Sequence, residues 1–91
     1  MDTIERDIKI VRLTQQVDDA LPAPLPTPEE ARRRRIASGL SEEAMGALAG
    51  GVTPTTVSRW ELGKRTPRGE TRERYADVLN LLQARLEARS P

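Results

Sequence analysis

Four prolines at alternate positions, Leu21-Pro22-Ala23-Pro24-Leu25-Pro26-Thr27-Pro28, divide this chain in two. Each pyrrolidine ring fixes its own φ, removes a backbone N–H and pushes the preceding residue out of the helical region. Neither a helix interior nor a central strand passes through such a stretch. Residues 21–28 therefore read as an extended spacer between an N-terminal segment, residues 1–20, and a body, residues 29–91. A chain of 91 residues has material for one small core and none for a second.

The last proline of the spacer also opens the body. Thr27, Pro28, Glu29 and Glu30 follow the order of an N-cap, a proline at the first helical position and acids beside the positive end of the dipole. The start signal recurs at Ser41 before Glu42 and Glu43, and at Thr53 before Pro54, while Gly39, Gly50-Gly51 and Gly63 supply stops. Three helices are expected: one to about Ser38, one carrying Ala44, Met45, Ala47, Leu48 and Ala49, and a short third with Val57, Trp60 and Leu62 as its buried positions. A fourth begins near Gly69 or Glu70 and lines up Tyr75, Val78, Leu79, Leu82 and Leu86 on one stripe. Run to Arg89, it is about 30 Å long. Ahead of the spacer, Ile4, Ile8 and Val11, with Ile10, Leu13, Val17 and Leu21 nearby, fit a helix over residues 3–20. A short strand through Ile8 to Leu13 competes; the helix is preferred because the spacing of three and four continues past the usual strand length. The expected fold class is all-α.

Composition excludes several chemistries. There is no His and no Cys, which removes disulfides, the usual zinc ligands and the usual general base near neutral pH. An enzyme is not expected, nor a cofactor or metal: Glu70, Glu73 and Asp77 alternate with Arg72 and Arg74 as on a solvated helix face. No apolar run approaches the roughly 20 residues that span a bilayer, and the N-terminus lacks the basic and apolar regions of a signal peptide. A cytoplasmic protein is expected. The net charge of +1 hides an asymmetry: residues 1–30 hold seven acids and three bases, residues 31–91 twelve bases and seven acids. A basic body with an acidic extension has the field needed to hold phosphates.

Two short helices joined by a glycine turn, the second presenting Thr55, Thr56, Ser58 and Arg59 outward and Val57 and Trp60 inward, suit entry into a DNA major groove. Leu40-Ser41, Val52-Thr53, Thr56-Val57-Ser58-Arg59-Trp60-Glu61, Gly63-Lys64-Arg65 and Thr66-Pro67 resemble the XRE family, which includes lambda-type repressors and Cro. The resemblance covers roughly Arg35 to Leu82. It implies a lambda repressor-like helix-turn-helix bundle, here with an added N-terminal helix and a long C-terminal helix, and a recognition helix at about residues 54–62. It further implies base contacts from Thr55, Thr56 and Arg59, phosphate contacts from Thr53 and Lys64, and a scaffold ion pair between Arg35 and Glu61. Ser58 on the outer face and Arg65 in the following loop are added as phosphate contacts, with Arg68 evenly balanced between contact and solvent. Three positions depart from the family pattern: Glu42 stands where Gln is usual, the Gly50-Gly51 turn is one residue longer, and Pro54 replaces a polar contact residue.

The run Arg32-Arg33-Arg34-Arg35 does not form one phosphate patch, because successive helix positions point about 100° apart; Arg32 to Arg34 are expected in solvent or paired with acids. Trp60, three after Val57, belongs to the core rather than to a stacking platform for single strands, and so does Tyr75, with its hydroxyl at the surface. The expected function is that of a sequence-specific regulator binding double-stranded DNA, repressor or activator, associated with the nucleoid. A homodimer is expected, since one small module reads few base pairs. The N-terminal helix, marginal by itself, packs on its own domain, pairs with a second copy or binds a protein partner. That last option carries the alternative reading, an antitoxin or adaptor.

Overall fold

A computed structural model describes residues 24–89 of the protein; the expected helix at residues 3–20 lies outside the described residues. Four helices follow one another: α1 (Pro28–Ala37), α2 (Glu42–Leu48), α3 (Pro54–Glu61) and α4 (Gly69–Arg89), with no strand among the described residues. The first three are capped alike. A hydroxyl of Thr27, Ser41 or Thr53 accepts the backbone N–H three residues on, at 3.2, 3.0 and 3.2 Å, satisfying a donor that has no partner inside the helix. Pro28 and Pro54 open their helices, where their missing N–H costs nothing.

The turn between α2 and α3 depends on a glycine inside α2. The Gly46 carbonyl accepts from both Gly51 N (2.9 Å) and Val52 N (3.0 Å), folding the chain back onto the helix. A Cβ at Gly46 would collide with the Val52 carbonyl oxygen. Gly50 and Gly51 both turn with positive φ, 108° and 87°, a region that side chains rarely tolerate.

The core comprises Ala31, Met45, Ala49, Val57, Trp60, Tyr75, Leu79 and Leu82, with Leu25, Leu40, Val52 and Val78 packed at its edge. The Trp60 and Tyr75 rings meet at 4.7 Å between centroids, tilted by 47°, a favourable aromatic arrangement. Leu25 shows that the end of the proline spacer is held against the body rather than passing over it freely.

Two sequence expectations are corrected. Leu62 is 62 % exposed: it caps the end of α3 about 140° around the helix from Val57, and Glu61 takes the inward position instead. The Tyr75 hydroxyl is not at the surface. It is buried without a hydrogen-bond partner among the described residues, and burial pushes its pKa up to about 12.

The arginines of α1 do much of its anchoring, for only Ala31 and Arg35 of this helix are buried. Arg33 and Arg34 both grip Glu30, at 2.6 and 3.1 Å. Arg33 also donates to Gln83 Oε1 (3.0 Å) and Arg34 to the Leu79 carbonyl (3.3 Å), tying α1 to α4. Hydrogen bonds from Arg33, then Arg34, hold the Glu30 carboxyl down at about 2.

Candidate nucleic-acid interface

α3 is fixed from behind. Val57 is fully buried, Trp60 nearly so, and the Glu61 carboxylate is bound by two parallel hydrogen bonds from Arg35, Nε to Oε2 at 2.7 Å and Nη2 to Oε1 at 3.0 Å. The remaining Arg35 nitrogen, Nη1, donates to the Leu40 carbonyl at 2.8 Å. One guanidinium therefore joins α1, the α1–α2 connection and α3 in a fork geometry that lysine lacks. The hydrogen bonds to Glu61 hold the Arg35 pKa above its ordinary value against the opposing effect of burial, with Glu42 adding attraction. Glu42 itself is half-buried and lines a recess with Arg32, Arg35, Ser58 and Glu61.

The outward face of α3 carries Thr55 and Arg59, both exposed, and the half-buried Thr56 and Ser58. Thr53 precedes the helix, and its hydroxyl is already engaged. It accepts from Thr56 N and shares a 3.0 Å hydrogen bond with the Thr56 hydroxyl. Ser58 points toward the α1 side, into the recess with Arg32 and Glu42, so it stands apart from Thr55 and Thr56.

After α3 the chain reverses at Gly63, whose φ is 72°. Its N–H donates to the Trp60 carbonyl, and Lys64 N and Arg65 N both donate to the Arg59 carbonyl, at 2.9 and 3.3 Å. The loop is thereby pinned to the end of α3. Lys64, Arg65 and Arg68, all exposed, line one recess with Thr56, Thr66 and Thr71. Threonine hydroxyls and three cations thus share a concave surface beside the helix. Thr71 and Gly46 are the residues that sequence reading missed. Thr71 sits in the first turn of α4 with no local signal to mark it, and Gly46 has only the signal of a glycine where a helix former is expected.

Residues 32–82 match the sequence model of a helix-turn-helix family. No curated protein and no solved structure matches the chain. The family match takes in α2, the glycine turn, α3, the pinned basic loop and α4 to Leu82, more than half the chain. The chain belongs to the helix-turn-helix family of XRE, lambda repressor-like type, and carries its DNA-binding domain.

Proposed function

We propose that this protein is a sequence-specific transcriptional regulator of double-stranded DNA, docking α3 in the major groove as a homodimer in the cytoplasm. The observation that carries the reading is the placement of exposed Thr55 and Arg59 on a helix clamped from behind by Arg35 and Glu61, beside a loop bearing Lys64 and Arg65. Arg59 suits the O6 and N7 acceptors of guanine, and Thr55 suits a base edge or a thymine methyl. Lys64 and Arg65 meet phosphates, joined by Thr53 and by Ser58 at the α1 flank.

The bond between Thr53 and Thr56 divides their roles. The two hydroxyls share one hydrogen between them, so only one keeps a free O–H to donate. With Thr53 donating to a phosphate, Thr56 meets a base through its methyl group and an oxygen lone pair. Two copies on one operator double the few base pairs that a single recognition helix reads. Among the described residues no helix is long and apolar enough to cross a membrane.

The reading is tested by titrating binding to duplex DNA over a series of salt concentrations. Affinity is expected to fall linearly on a double-logarithmic plot, and Lys64→Ala to reduce the slope by about one. Binding indifferent to salt would contradict the reading, and an unchanged slope would place Lys64 away from the backbone.

A further inference from the structure

An apolar groove on the bundle is lined by Leu48, Val78, Leu81 and Leu82, and its charged lining groups, Arg85 and Arg89, are both cations. Leu48 and Leu81 are each 52 % exposed on its flanks. We propose that residues 3–20 of this same chain dock as a helix that lays Ile4, Ile8 and Val11 in the groove.

Three observations select that occupant. The segment has an apolar stripe to lay in a groove, Ile4, Ile8 and Val11, while Ile10, Leu13 and Val17 fall nearer its opposite side. It also has the complementary charge, since residues 1–23 hold five acids (Asp2, Glu5, Asp7, Asp18, Asp19) against three bases. A second copy docking groove to groove would instead set Arg85 and Arg89 against their own counterparts. Finally, the segment is tethered in place. Leu25 is packed against the core, so three residues, 21–23, separate the segment from the described body. Docking is then intramolecular, at an effective concentration on the order of millimolar. A helix of this length would extend about 27 Å, against about 15 Å for α1, which is long enough for Ile4, Ile8 and Val11 to reach a groove that begins at Ser38.

The test uses the full chain, which contains no cysteine. A spin label is attached at Gln16→Cys, a position that helical spacing puts off both apolar sets, and the methyl signals of Leu48, Val78 and Leu81 are followed. Broadening is expected when label and isotope are in the same molecule, and none when isotope-labelled wild type is mixed with spin-labelled, isotope-free protein. Leu81→Glu, exposed on the described body, is expected to keep a cooperative thermal melt, lowered only by the lost docking, and to abolish the broadening of Leu48 and Val78. Broadening in the mixed sample would overturn the proposal in favour of a second copy. An absence of broadening throughout, or broadening that survives Leu81→Glu, would overturn it outright.

Discussion

At the scale of single residues, the Arg35–Glu61 pair has more consequence than any other polar contact. Its side chains are 10 % and 3 % exposed, so each charge has left water and depends on the other. Removing one partner strands a buried charge, at a cost of about 3–5 kcal/mol, whereas replacing both by apolar residues of similar volume is often neutral. Arg35→Met and Glu61→Leu are each expected to lower thermal stability sharply, and the double substitution to lose less than their sum. A denaturant double-mutant cycle reads the coupling, and additive losses would show that the pair is not a unit. Tyr75 is the opposite case, a buried hydroxyl without a partner among the described residues. Such a group costs about 1–3 kcal/mol, so Tyr75→Phe, which keeps the ring against Trp60, is expected to stabilise by about 1 kcal/mol. A lower melting temperature would mean that the hydroxyl is satisfied. The pH dependence follows from its pKa of about 12 against an ordinary 10.0. Below pH 10 the tyrosine is neutral in both states; as the pH rises from 10 to 12 the unfolded chain loses the proton first, and stability falls. Tyr75→Phe is expected to remove that share of the alkaline loss in a pH series of melts.

At the scale of elements, the turn between α2 and α3 sets where α3 points. Gly46→Ala would force its Cβ into the Val52 carbonyl, and the backbone has to yield. Overpacking of this kind costs about 1–3 kcal/mol, and the displacement lands on the segment that aims α3. DNA affinity is therefore expected to fall further than the melting temperature suggests. Equal stability and affinity in the variant would show that the close approach at Gly46 is not needed. The caps were legible in the sequence because a Thr or Ser followed by Pro or acids is a local signal, and the structure places a cap at each of Thr27, Ser41 and Thr53. The match over residues 32–82 likewise agrees with the resemblance drawn over roughly Arg35 to Leu82. Gly46 was not legible, since the atom it must avoid is brought there by the turn. Leu62 was misread because apolarity at a helix end says nothing about which side of the helix the cap occupies. Arg34 reaches the Leu79 carbonyl 45 residues away, a contact no local pattern announces.

For the whole molecule, two oppositely charged parts share one short chain: an acidic N-terminal segment and a basic helix-turn-helix body. The body brings α3 and the basic loop to one surface, and arginine contacts tie α1 to α4. The proposed docking assigns positioning and reading to different residues. Under the proposed function, Lys64 and Arg65 supply charge that any duplex attracts, while Arg59 and Thr55 supply the discrimination. The most direct test is selection from a random pool of duplexes at fixed salt, with the wild type and with Arg59→Ala. The account predicts that the wild type enriches a palindromic site, and that Arg59→Ala keeps salt-dependent binding and a normal melt but loses the preference at one base of each half-site. No enrichment by the wild type, or the same site enriched by Arg59→Ala, would contradict it.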